Sequence, residues 1–303
     1  MATSLRYPIG VRPLLMRETA RRRSVESRIV ALLGRSGFEE IVLPILDYAD
    51  PAAVEAQDTY RFVDRDGELV AIRSDFTPMV ARALSPVVEK TRTPLRVFYR
   101  GDVIRREASR LGANREMFQI GAEIVGDGSS TADAALLGLL GSLLRDLGVT
   151  PRIVYTDATI PERLAAGSGA AVRDALAGKR AGDLEGLQRA LSPEAFLVAS
   201  RLASGQATVA DLQQCAETAP VAARLAEIAC AVDGFCVAQL DDVDRRAGYY
   251  SGLRFRAYGA GSRVVAQGGR YDSLYGQFGA PAPAVGFTVT IDELEWSGEA
   301  LGV

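Results

Sequence analysis

No histidine occurs anywhere in the 303-residue sequence. That absence removes the commonest general base, the commonest zinc ligand and every Ser/His or Cys/His dyad in one step. Cysteine is scarce as well. Cys215, Cys230 and Cys236 fall in one helical-looking stretch without CxxC spacing, which supports neither a disulfide framework nor a thiolate metal site. They read as small apolar core residues. No apolar run reaches the roughly 18 residues needed to span a bilayer, and the N-terminus lacks a signal-peptide core, so a cytoplasmic protein without a membrane partner is expected. A net charge of −3 gives no electrostatic footprint for a nucleic-acid backbone. What is present is an ordinary globular composition, 48% hydrophobic and 24% charged. Any chemistry here needs carboxylates, arginines or a bound metal.

Periodicity then places the elements. Residues 15 to 36 carry a helical pattern with Leu15, Val25, Ile29, Ala31, Leu32 and Leu33 largely on one face and arginines opposite, stopped by Gly37. FEEIVLPILDYAD reads as a strand broken by Pro44, which belongs at a sheet edge or a subunit contact because it cannot donate a ladder hydrogen bond. YRFVDRDGELVAIR gives two short strands around an Asp-Gly turn, and SDFTPMVARALS a capped helix starting near Thr77 and Pro78. Residues 95 to 126 form a strand pair, 133 to 147 a helix, and PRIVYTDA a strand. Residues 158 to 236 are rich in alanine, leucine and arginine with no convincing strand, and read as an all-helical insertion. Strands return with YYSGLRFRAYGAGSRVVAQGG and AVGFTVT, ahead of a final helix, IDELEW. Hairpins in place of strict βαβ alternation predict an α+β fold, a mostly antiparallel sheet flanked by helices. The expected division is a core domain of residues 1–157 and 237–303 interrupted by the insertion at 158–236.

The charged hairpin FYRGDVIRREASRLGANREMFQIGAEIVG holds the candidate chemistry. Alternation puts Gln119, Gly121 and Glu123 on one side of its second strand and Phe118, Ile120, Ala122 and Ile124 on the other. Arg105 and Glu107 share a face of the partner strand, and Gly121 removes a side chain where a ligand could approach. A small zwitterion would find donors and acceptors there. Alternation alone favours the plainer alternative, a solvated outer face with ion pairs worth little. Three further stretches weigh against it: Asp75 and Thr77 at a strand-to-helix corner, Tyr249 and Tyr250 at a strand start, and glycines beside Arg270 and Asp272. Singly each is weak, since a Gly-Gly pair usually marks a turn and a Tyr-Tyr pair usually puts one ring in the core.

Taken in order, these stretches resemble the catalytic domain of histidyl-tRNA synthetases, a class II aminoacyl-tRNA synthetase fold. GFEEIVLPILDYAD looks like motif 1, the charged hairpin like motif 2, and AVGFTVTIDELEW sits where motif 3 belongs. RRAGYYSG and VVAQGGRYDSLYGQFG are similar to the two histidine-specific signatures. The resemblance implies that Asp75, Thr77, Arg105, Gln119, Glu123, Tyr249 and Tyr250 occupy histidine-contacting positions. Chemistry agrees: carboxylates suit the ammonium group and the ring nitrogens, Arg105 the α-carboxylate, and tyrosines the ring walls. Arg245 matches a catalytic synthetase arginine, although Arg246 and Gly248 stand where a glycine and an aspartate are expected.

The departures concern the nucleotide. Glu293 takes the place of the motif 3 arginine that serves ATP, Thr290 that of a glycine, and Ala113 that of a loop arginine. A carboxylate there repels a triphosphate. No room is expected for an anticodon-binding domain, and RSDFTP replaces the synthetase RPEGT form. Those features resemble the regulatory subunits of ATP phosphoribosyltransferase, a paralogous family. That implies a noncatalytic chain without cofactor or metal, self-associated within a hetero-oligomer. Its partner would be a short-form catalytic subunit, and its role feedback inhibition by L-histidine in the first step of histidine biosynthesis. Two other readings compete: an orphan amino-acid-adenylating ligase, and a structural paralogue with an empty pocket.

Overall fold

Val25, Ile29 and Leu33, one helical turn apart, are buried along the inner face of α1 (Arg17–Arg35). Ser36 closes the helix through its amide, and Gly37, at φ 79°, turns the chain into the sheet. The computed structural model describes residues 7–49, 59–91, 94–106, 114–165, 167, 169–179, 181–232, 234–243, 249–259 and 262–296.

The stretch around Pro44 is not one interrupted strand. Its first half, β1 (Glu39–Glu40), and its second, β2 (Leu46–Tyr48), belong to different sheets. β2 joins the expected hairpin of β3 (Arg61–Val63) and β4 (Leu69–Ile72) in a three-stranded sheet ordered β2-β4-β3. α2 (Thr77–Val88) starts where its proline predicts. Its cap comes from Asp75, whose Oδ1 accepts from the Thr77 amide at 2.9 Å, while the residue just before the helix, Phe76, makes no side-chain cap.

The main sheet holds the predicted hairpin, β5 (Leu95–Ile104) and β6 (Glu116–Val125). It also contains β7 (Arg152–Asp157), β8 (Cys236–Ala238), β9 (Leu253–Tyr258), β10 (Val264–Arg270) and β11 (Ala284–Thr290). Their order is β1-β5-β6-β11-β10-β9-β7-β8. Among the described residues only the outermost pairs, β1 with β5 and β7 with β8, are parallel, so the antiparallel expectation holds for the interior of the sheet. α3 (Ser130–Asp146), capped by Ser129, and α1 pack against it.

Between β7 and β8 the described elements are helices: α4 (Ile160–Leu164), α5 (Gly169–Ala177), α6 (Ala181–Leu187), α7 (Pro193–Ala203), α8 (Val209–Gln214) and α9 (Ala219–Ala231). Their buried residues, among them Leu176, Leu212 and Ile228, share one continuous apolar cluster with Phe255 and Val289 of the sheet. The reading of the cysteines is corrected twice: Cys236 opens β8 and does not lie on a helix, and of the three only Cys215 is buried. None of the described helices is long and apolar enough to cross a membrane.

Gly268 and Gly269 do not form a turn; both lie inside β10. A Cβ on the first would strike the Gly286 carbonyl and the Phe255 ring, and one on the second the Leu253 carbonyl and the Tyr250 ring. These glycines let the aromatic side chains of β9 and its approach lie flat on the sheet. The chain ends its described course in α10 (Ile291–Trp296), directly after β11.

Candidate functional site

β6 is buried along all but its first residue, so the expectation that its polar side could be a solvated outer face fails. Gln119 and Glu123 are 6% and 1% exposed. Period-two alternation had grouped them correctly, but it carries no information about what covers a face, and here that face meets the start of α2 and the aromatic residues around β10.

Asp75, Thr77, Arg105, Gln119, Glu123, Tyr249 and Tyr250 all line one cavity of about 140 Å³. They come from the α2 corner, the two strands of the hairpin and the approach to β9. Arg245 lies outside the described residues, as do Arg246, Gly248, Glu107 and Ala113. Arg105 stands at the end of the hairpin, its Nε 3.4 Å from the Ser74 carbonyl. Tyr249 and Tyr250 meet edge to face at 4.9 Å between centroids, and Tyr249 lies 6.1 Å from the Tyr271 ring.

Glu123 is the deepest polar group. Its Oε1 accepts from the Tyr99 hydroxyl at 3.3 Å and from Thr77 Oγ1 at 3.4 Å, and its Oε2 accepts from the Tyr271 hydroxyl. Tyr99 also shares a 2.9 Å hydrogen bond with Thr288 Oγ1. Burial pushes the Glu123 carboxyl well above the usual carboxylate range, and the nearby Asp75 charge adds to the push against the Tyr99 and Thr77 hydrogen bonds. The Tyr99 phenol is likewise raised, first by burial and then by the charge of Glu123.

The sequence reading missed Tyr271, Arg254, Arg256, Gln267 and Thr288 on the cavity wall, and Tyr99, which lies behind Glu123. Tyr99 pairs with Gly121 across the hairpin, and a Cβ on Gly121 would fall inside the Tyr99 ring. Gly121 therefore makes room for a tyrosine of the protein itself, which corrects its reading as a point of ligand approach. The available signal was a bulky aromatic opposite a glycine in the hairpin register. Tyr271 had a weaker one, its place directly after the Gly-Gly-Arg run.

A second chamber of about 560 Å³ adjoins the first, sharing Arg105, Gln119, Gln267 and Thr288 with it. Thr290 and Glu293 line this outer chamber. Glu293 Oε2 is 3.3 Å from Arg263 Nη1, so the carboxylate at the start of α10 is engaged with an arginine of the opposite wall. Arg270, by contrast, is turned away from both chambers. It is buried and bonded to Asp133, Asp272 and the Asp127 and Ser129 carbonyls, which ties α3 to the end of β10. Among the described residues no cluster of His, Cys, Asp or Glu is placed to hold a metal ion.

A family model described as histidyl-tRNA synthetase matches residues 10–294. The ATP phosphoribosyltransferase regulatory subunit of Anaeromyxobacter dehalogenans (strain 2CP-1 / ATCC BAA-258) is 34% identical over 325 aligned residues, covering 98% of this chain and 91% of that protein. The regulatory subunit of Moorella thermoacetica is 29% identical over 320, covering 96% and 81%. A structure from Bacillus halodurans, described as an ATP phosphoribosyltransferase regulatory subunit/histidyl-tRNA synthetase, superposes with a TM-score of 0.84 at 22% identity over 98% of this chain and 84% of that one, a likeness of fold. A histidine–tRNA ligase subunit from Alicyclobacillus acidocaldarius gives a TM-score of 0.75 at 28% identity with both chains fully covered. The mixed sheet, the hairpin cavity and these relatives agree: the chain belongs to the ATP phosphoribosyltransferase regulatory subunits, a family with the class II histidyl-tRNA synthetase fold.

Proposed function

We propose that this chain is a noncatalytic subunit that assembles in the cytoplasm with a short-form ATP phosphoribosyltransferase catalytic subunit. It supports the first step of histidine biosynthesis and transmits feedback inhibition by L-histidine. The observation that carries this reading is the contrast between the two chambers. The inner one gathers carboxylates, three arginines and three tyrosine rings around a space of amino-acid size. The outer one presents Glu293, paired to Arg263, where a synthetase would offer an arginine to ATP. In the inner chamber Arg105 faces the α-carboxylate, Asp75 the ammonium group, and Tyr249, Tyr250 and Tyr271 the ring. Inhibition requires that histidine bind two states of the assembly unequally, with a coupling on the order of 1 to 3 kcal/mol.

Self-association accompanies this role. Val42, Ile45, Leu46 and Tyr48, in the stretch around Pro44, are 90%, 58%, 50% and 68% exposed, an apolar run suited to a second copy of the chain.

The deciding experiment mixes the purified chain with a short catalytic subunit and measures ATP phosphoribosyltransferase activity with and without histidine. Activity that depends on this chain and falls with histidine is the expected result. Histidine-dependent pyrophosphate–ATP exchange by the chain alone would instead support the adenylating ligase, for which the roomy outer chamber is the favourable observation. Histidine affinity unchanged in Glu123→Ala, or none at all, would leave an empty pocket.

A further inference from the structure

Glu123 is 1% exposed, and every group bonded to it is a neutral hydroxyl. The groups packed around it come from every neighbouring element. Asp75 and Thr77 face it from the α2 corner, Tyr99 from β5, Tyr271 from the end of β10, and the Tyr275 phenol feels its charge from the following turn. Gly286, its partner in β11, brings no side chain. The cations of the cavity wall reach elsewhere: Arg105 donates to the Ser74 carbonyl, and Arg254 and Arg256 donate to Asp242.

Three hydroxyl donors on one carboxylate stabilise its charged form, whereas full burial with no cation opposes it. The arrangement is thus complete for a carboxylate except for a positive charge, and the cavity is the side from which that charge can come. An ammonium group is compact and strongly hydrated, and Asp75, only partly buried, suits it better than a floor of phenols. A flat ring between Tyr249, Tyr250 and Tyr271 would instead bring a ring nitrogen to Glu123.

We propose that Glu123 binds the ligand ring by transferring its proton to it, so that the chamber holds an imidazolium against a carboxylate. This rests on reading the chamber as a histidine pocket. In the free protein the acid keeps its proton. When a neutral imidazole enters, that proton moves from the Glu123 oxygen to the unprotonated ring nitrogen, giving an ion pair with no net exchange of protons with solvent. The three hydroxyl donors then hold the new carboxylate. Selection follows: the site favours rings basic enough to accept a proton over isosteres that are not.

The test is the protonation state of bound L-histidine labelled with ¹⁵N in the ring, read from its nitrogen chemical shifts at about pH 8, where the free ring, with a pKa of about 6.5, is neutral. Two imidazolium-like nitrogens in the bound state are expected with the native chain. Glu123→Gln, which keeps the shape and cannot give up a proton, should bind the ring neutral. Triazolylalanine, similar in shape but far less basic, should bind the native chain roughly tenfold or more weakly than histidine, and the gap should close in Glu123→Gln. Should that variant fail to fold, Tyr271→Phe serves in its place, with the bound ring losing its second proton at a lower pH. A bound ring that is neutral in the native chain overturns the proposal and leaves the pocket standing. No saturable histidine binding at all removes the pocket reading and the proposal with it.

Discussion

Gly286 and Glu123 face each other across β11 and β6, and a Cβ on the glycine would fall within the Glu123 carboxyl. The carboxylate lies flat over its neighbour strand because that strand offers no side chain there. Gly286 thus decides where the deepest group of the inner chamber sits, although it brings no side chain of its own.

Gly286→Ala therefore displaces Glu123 and should abolish histidine binding, with a loss of about 1 to 3 kcal/mol of stability from overpacking. Calorimetric titration and urea unfolding measure the two effects. Gly138, in α3, is the contrast, since a Cβ there meets nothing within 4 Å. Gly138→Ala should raise stability by roughly 0.5 to 1 kcal/mol and leave binding unchanged. Equal effects of the two substitutions would show that backbone freedom, and not the Glu123 contact, governs position 286.

The contrast also marks what could be read from the sequence. Alternation in MFQIGAEIV put Gln119 and Glu123 on one face, and Pro78 marked the start of α2, because both signals are local to a single element. The role of Gly121 was not local. It depends on Tyr99 lying opposite in the hairpin register, and the register depends on a turn whose sequence shows no fixed loop type. The same holds for FEEIVLPILDYAD, where sheet membership of each half is fixed by distant partners, β5 for one and β4 for the other. Cys236 sits in a three-residue strand whose pairing with β7 outweighs the helical bias of the residues before it.

Glu123 also sets a pH dependence. Burial holds its folded-state pKa well above the 4.5 of an exposed glutamate, so the folded chain binds this proton more tightly than the unfolded chain. Its contribution to stability is therefore complete below the ordinary glutamate range and is lost as pH rises through the raised folded value. The free protein should show a melting temperature that declines with rising pH more steeply than that of Glu123→Gln. Thermal unfolding followed from the ordinary glutamate range upward checks this, and parallel curves for the two proteins would contradict it.

Arg270 and Asp133 form a different kind of contact. Their side chains are 3% and 0% exposed, and Asp133 also receives Arg224. Burial raises the Asp133 carboxyl while the two arginines hold it down. Removing one member of such a pair leaves a buried charge poorly compensated, so Arg270→Met alone should cost about 3 to 5 kcal/mol. The doubly substituted chain, Arg270→Met with Asp133→Leu, should recover a large part of that loss. Urea unfolding of the single and double variants provides the comparison, and a loss in the double variant as large as the sum of the two single losses would show the pair to be uncoupled.

In the outer chamber the decisive group is Glu293. It lies partly exposed against Arg263 and lines the outer chamber without reaching the inner one. A partly exposed pair of this kind is worth only about 0 to 1 kcal/mol, so Glu293→Ala should change stability by no more than that. Histidine affinity should stay within roughly twofold, since a change below about 0.4 kcal/mol is all that a neighbouring chamber's charge conveys through solvent. ATP is the sharper probe. A triphosphate entering there meets the Glu293 carboxylate, and the arginine beside it, Arg263, is already engaged by that carboxylate. Mg·ATP at about 1 mM should then leave the melting temperature of the native chain unchanged, because a ligand stabilises only in proportion to its occupancy. Glu293→Ala removes the repulsion and one partner of Arg263 without placing a guanidinium at position 293 itself, and it too should show no ATP shift. A shift in the variant alone would identify Glu293 as the single barrier to nucleotide entry, whereas a shift in both would mean that the outer chamber still accepts ATP.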